Sequence, residues 1–174
     1  MREFTVDPTG RERTFHENDI IVSKTDLKGI ITYANQTFIE VSGFSEEELL
    51  GQPHNLIRHP AMPQCVFQLL WDTLEAGDEI FAYVLNMSKN GDHYWVFAHV
   101  TPTFDQAQRI LGYHSSRRVP DRKKVNMFAD LYETLRNEEM RHRDWRTGMA
   151  AAGRMLTDVL ASQHVTYAEY MFTG

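Results

Sequence analysis

Polar and apolar positions change period several times along the chain, and each change marks an element. Residues 20–26, "IIVSKTD", and 30–35, "IITYAN", are β-branched runs on either side of "LKG", which predicts a hairpin. "QTFIEVSGF" then shows helical spacing and stops at Gly43. In "SEEELLG", Ser45 is an N-cap with Glu48 three residues on, so a short helix is expected up to Gly51. Val66, Leu69, Leu70 and Leu74 recur at threes and fours in "MPQCVFQLLWDTLEAG", an amphipathic helix closed by Gly77. Three strand-like runs follow at 79–88, 92–104 and 109–119, the first two joined by "KNGD", a hairpin signal. Two strands, short helices and three strands pack most simply as a five-stranded antiparallel sheet with helices on one face.

Alternation also divides the strands into faces. Tyr94, Val96, Ala98 and Val100 share one face, and Trp95, Phe97 and His99 the other. Asn86 falls with Ala82 and Val84, while Phe81 falls with Tyr83 and Leu85. A pocket under Asn86 would have small walls that admit a planar ring. The opposite face carries Phe81, Tyr83, Trp95 and Phe97, too much aromatic area to leave wet. It calls for cover by the N-terminal segment, the tail or a second subunit.

From Asp121 the pattern becomes helical, with Val125, Phe128, Leu131, Tyr132 and Leu135 on one stripe. Gly148 and Gly153 flank the small-residue patch "GMAAAG", and "RMLTDVLASQ" and "TYAEYMF" follow. The chain divides into an N-terminal segment (1–17), a main domain (18–120) and a C-terminal helical extension (121–174). The tail offers more apolar area than one small sheet needs, so a homodimer is expected, with the outer sheet face and tail sharing its interface.

Composition narrows the function. A formal charge of −6 argues against nucleic-acid binding through phosphate contacts. One cysteine, Cys65, rules out an intrachain disulfide and a cysteine-rich zinc site. No signal-peptide pattern or membrane-length apolar run is present, so a cytoplasmic location is expected. No G-x-S-x-G, P-loop or H-E-x-x-H motif occurs, and no turnover chemistry is expected.

"GQPHNLIRHPAMP", residues 51–63, concentrates three prolines, two histidines and an arginine between two helices. Prolines stiffen such a loop. Arg58 can grip a pyrophosphate or a carbonyl oxygen with its planar fork of donors. The opposing reading is that the prolines route the chain and Arg58 meets a surface carboxylate.

The element order is that of the PAS fold. "TDLKGIITYANQTFIEVSGFSEEELLGQPHNLIRHPAMP" and "KNGDHYWVFAHVTP" resemble the PAS domain of the bacterial aerotaxis and energy-taxis transducer family, over residues 18–120. The resemblance implies an α+β PAS sensor that binds a flavin, most simply FAD, and reports its redox state by contact to a methyl-accepting chemotaxis transducer or similar signalling protein. It implies cofactor contacts from Asn35, His54, Arg58, His59, Trp71, Asn86 and Tyr94. Ala61 stands where the family carries an acid, and Ile80 where it carries tryptophan. A flavin photoadduct is not expected, because "HNLIRHP" replaces the reactive-cysteine motif. Two other readings stay open: a haem b gas sensor, and a cofactor-free interaction module.

Overall fold

The computed structural model describes residues 6–172. The first five residues of the N-terminal segment and the last two of the tail lie outside the described residues. Strands β1 (Ile21–Thr25) and β2 (Ile31–Ala34) form the first hairpin. Helices α1 (Gln36–Ser42) and α2 (Glu46–Leu49), a 3-10 turn (His54–Ile57) and α3 (Gln64–Glu75) follow. Strands β3 (Ile80–Met87), β4 (His93–Phe104) and β5 (Ile110–Arg118) complete an antiparallel sheet in the order β2-β1-β5-β4-β3.

The predicted end signals work as chemistry requires. Gly43 closes α1 in a left-handed conformation, at φ 73°, which favours glycine. Ser45 and Glu48 exchange the two hydrogen bonds of a capping box at the start of α2. α1 and α3 lie over the inner sheet face, where Ile21, Val84, Val96 and Ala98 join Phe38, Ile57 and Val66 in the core.

The tail forms α4 (Arg122–Met140), α5 (Trp145–Ser162) and α6 (Tyr167–Phe172). Its predicted stripe is the buried one: Val125, Phe128, Tyr132 and Leu135 are all inside, with Leu131 half-buried. α4 lies on the outer sheet face. Phe128 stacks on Tyr83 at 4.5 Å, and Tyr132 on Trp95 at 6.1 Å. The Tyr132 hydroxyl donates to the Tyr83 carbonyl at 2.7 Å, which satisfies a buried backbone acceptor on strand β3. From α6, Phe172 packs edge-on against Phe81 and Phe97.

Of the three covers that the sequence left open for the aromatic face, the tail is the one seen here. The small-residue patch also turns out to lie within a helix. Asp144 caps α5 by accepting from the Thr147 amide, so the helix starts at Trp145 and carries 148–153 in its body. Small side chains there let α5 approach α4 and α3.

Candidate functional site

A cavity of about 440 Å³ lies between the inner sheet face and the layer formed by α3 and the 51–63 loop. Four parts of the sequence build it. The sheet supplies Ser23, Val84, Asn86, Ala98, Val100, Tyr113, Ser115 and Arg117. The loop supplies Pro53, His54, Asn55 and Arg58, and α3 supplies Phe67, Trp71 and Leu74. The tail contributes as well, through Met149 of α5.

The loop's prolines set where each turn starts. Pro53 and Pro63, both near φ −63° and extended in ψ, stand immediately before the 3-10 turn and α3. The loop is fastened at both ends. His54 N–H donates to the Gly29 carbonyl at 2.9 Å, and Pro53 bridges to Ile30 beside β2. At the other end Arg58 bridges to Asn86 of β3, and the Leu85 amide donates to Met62 Sδ at 3.3 Å. The segment therefore crosses the inner face from one sheet edge to the other and roofs the cavity.

Arg58 donates to the Met62 carbonyl at 3.0 Å and lies 4.4 Å above the Phe67 ring. Both contacts leave it half-buried on the wall, with burial lowering its pKa. Trp71 meets Tyr113 edge-on at 5.4 Å. Its ring also closes on Gly29, where a Cβ would come within 3.1 Å of the indole. Gly29 adopts φ +74°, so both the turn and the indole require glycine.

At the floor sits Arg117, 2% exposed. Its Nη2 donates to Ser23 Oγ at 2.6 Å, and Nη1 lies 3.4 Å from His54 Nε2. The guanidinium covers the Phe38 ring at 4.5 Å, and its Nε has no partner. Burial pushes its pKa down to about 10. Burial and the neighbouring Arg117 charge push His54 down to about 3, so its imidazole is neutral and accepts at Nε2. Lys28, Arg58 and Arg117 all line the cavity, and no carboxylate among the described residues does. Such a wall suits a ligand with a flat apolar body and anionic or acceptor-rich ends.

A model of the PAS fold matches residues 31–117. The chain belongs to the PAS fold family. Residues of this PAS domain are 42% identical over 119 positions to the aerotaxis receptor of Escherichia coli (strain K12), covering 68% of this chain and 23% of that protein. The nitrogen fixation regulatory protein of Klebsiella pneumoniae is 27% identical over 118 residues, again 68% of this chain and 23% of the relative. The chain thus spans under a quarter of these curated relatives. Among solved structures, a light-oxygen-voltage domain studied with a flavin analogue superposes with a TM-score of 0.56 at 21% identity, covering 71% of this chain and 87% of that one. A PAS domain from Colwellia psychrerythraea gives 0.54 at 21% identity, covering 58% and 86%.

Of the residues that the sequence put forward, the fold brings His54, Arg58, Trp71 and Asn86 into the lining of one cavity. Asn35, His59 and Tyr94 do not line it. Asn35 caps α1 instead. Its Oδ1 accepts from the Phe38 and Val22 amides, and its Nδ2 donates to the Ile20 carbonyl, so the carboxamide ties β1 to α1. His59 faces His93 edge-on at 6.0 Å and accepts from the Ala61 amide at Nδ1. Tyr94 is fully buried behind the floor, with its hydroxyl unpartnered. Ala61 lies on the α4 side, beside Glu133 and Arg136, away from the cavity. Cys65 is off the wall too, with its amide held by Glu139 Oε1 at 2.9 Å and its thiol pushed up to about 12 by burial and Glu139. Arg117 is not among the residues that the sequence put forward: it begins "RRVPDRKK", which has the look of a surface charge run. Period-two alternation from Tyr113 through Ser115 was the available signal.

Proposed function

We propose that this PAS domain binds FAD non-covalently in the cavity and serves as a redox sensor in energy taxis. One observation carries the reading: a cavity of about 440 Å³, with Asn86 and Trp71 on its sides and only cationic charge on its lining. The volume lies in the usual range for small-molecule sites, about 300–1,000 Å³. Bound flavin supplies reversible two-electron chemistry in which charge and protonation follow redox state. Phe67 and Trp71 offer the apolar cover for a ring, and Asn86 offers a carboxamide that both donates and accepts. Lys28, exposed at the mouth, and Arg58 suit phosphate oxygens.

The haem reading draws less support from the wall. His54, the imidazole that lines the cavity, has its Nε2 engaged by Ser23 and Arg117. The relationship to an aerotaxis receptor supports output by contact to a chemotaxis transducer. Met149 supports the tail as the route, since α5 forms part of the wall and packs against α4 on the far side. The test is an absorption spectrum of protein reconstituted with excess FAD and desalted, followed by acid release of the chromophore. Retained flavin at near one per chain is the expected result. An intense Soret band from freshly purified protein selects haem, and a colourless protein after reconstitution selects the cofactor-free module.

A further inference from the structure

We propose that Arg117 is the charge-reading residue of the cavity, receiving the negative charge that a flavin ring gains on two-electron reduction. The proposal rests on the flavin reading above and adds a specific residue and a specific state to it.

Among the described residues Arg117 has no carboxylate partner. Arg117 is 2% exposed and lines the cavity. Its hydrogen-bond partners, Ser23 Oγ and His54 Nε2, are neutral, and its Nε has none. The titratable groups around it are His54 from the loop, Tyr94 from β4, and Tyr113 and His114 from β5. Lys28 and Arg58 share the same lining. None of these is a carboxylate. A buried guanidinium without a carboxylate is costly, and the cost is relieved when an anion comes within reach.

Position decides which part of the ligand that anion belongs to. Arg117 lies at mid-sheet, paired in register with Ala98 on one side and Ile21 on the other. Lys28 is exposed and Arg58 half-buried, so the phosphates of a dinucleotide find cations toward the mouth. A ring seated below such phosphates would meet the deep cation, Arg117. An oxidised isoalloxazine is neutral. Two electrons from an external donor (dithionite in the test below) and one proton delivered to N5 leave a negative charge shared between N1 and the C2 carbonyl. A second proton at N1 would cancel it. Arg117 favours the singly protonated product, because its guanidinium can donate to N1 and the carbonyl together.

The experiment measures midpoint potentials of FAD-loaded wild type, Arg117→Met and Arg117→Lys against a reference dye during dithionite titration. Arg117→Met leaves Ser23 Oγ and His54 Nε2 paired to each other at 3.0 Å, so the variant creates no orphaned acceptor there. It is expected to weaken retention of reduced flavin about tenfold relative to oxidised flavin, a fall of about 30 mV for a two-electron couple. Arg117→Lys, which keeps the charge, should fall between the two. The wild-type potential should drop by about 30 mV per pH unit across neutral pH, the slope for one proton per two electrons. Flavin-loaded Arg117→Met with an unchanged potential, or a wild-type slope of two protons, overturns the role of Arg117 alone. Wild type that takes up no FAD overturns the flavin reading, and this inference with it. The wild-type slope decides the matter even where Arg117→Met does not fold.

Discussion

Replacing Gly148 by Ala tests whether the tail is fitted to the sensor domain or merely lies beside it. Gly148 sits where α5 crosses the end of α4. A Cβ added there would fall inside contact distance of the Glu139 carbonyl oxygen, and 3.1 and 3.2 Å from its carbonyl carbon and Cα. All three are backbone atoms of a helix, so no side chain can swing aside. α5 must shift by roughly an ångström, which for overpacked sites costs about 1–3 kcal/mol. Alanine returns up to about 1 kcal/mol over glycine through helix propensity. With the full return, the net loss is about 0–2 kcal/mol. At about 2–4 °C per kcal/mol for a chain of this size, the melting temperature should fall by up to about 8 °C. Gly153→Ala is the control. The nearest atom to its added Cβ is Cys65 Cβ at 3.9 Å, an ordinary contact, so propensity should win and the melting temperature should rise. Thermal unfolding followed by circular dichroism reads both signs. A Gly148→Ala melting temperature above wild type refutes the close fit of α5 to α4.

Trp95→Glu buries a carboxylate under Tyr132 and removes an aromatic that is 8% exposed, at a cost of about 3–5 kcal/mol; limited proteolysis should then cleave α4, and an uncut tail would count against the intramolecular cover. His54→Asn tests the buried neutral imidazole. A group held down at about 3 in the fold and near 6.5 unfolded contributes stability that is present above pH 6.5 and lost as pH falls toward 3. Ligand-free wild type should therefore lose up to about 1.4 kcal/mol per pH unit more than His54→Asn below pH 6.5, and parallel denaturation curves between pH 6.5 and 5 would refute the burial. Arg58→Ala should weaken FAD retention about tenfold or more through loss of a charged contact worth about 1.5–3 kcal/mol, and an unchanged dissociation constant by equilibrium dialysis would remove Arg58 from the site.

The parts of this fold that were legible in the sequence are those fixed by local chemistry. Gly43, Ser45 and Glu48 act on neighbours within four residues, and the stripe from Val125 to Leu135 follows from helical period alone. The site was legible where loop stiffness and strand parity marked it, at His54, Arg58 and Asn86. What escaped depends on distant pairings. Asn35 carries a donor and acceptor suited to a ligand, yet β1 lies close enough to use both. The packing of the tail on the sheet depends on distant contacts such as Phe128 on Tyr83 and the Tyr132 hydroxyl on the Tyr83 carbonyl. Arg117 is a charged residue in a charged run, and its burial becomes visible only once β1 places Ser23 beside it.

The energetics of that one residue connect stability to sensing. A guanidinium whose pKa falls from 12.5 to about 10 loses about 3 kcal/mol in the fold at any pH well below 10, since burial disfavours its charged form. A ligand present at about 100 times its dissociation constant returns about 2.7 kcal/mol to the folded state. Ligand binding at that concentration would offset a burial cost of that size. Substitution by Met should then separate them: ligand-free Arg117→Met melts higher than ligand-free wild type, while its gain in melting temperature on reduction of bound flavin is smaller. A residue that served only to hold Ser23 and His54 in place would lower the first quantity and leave the second unchanged.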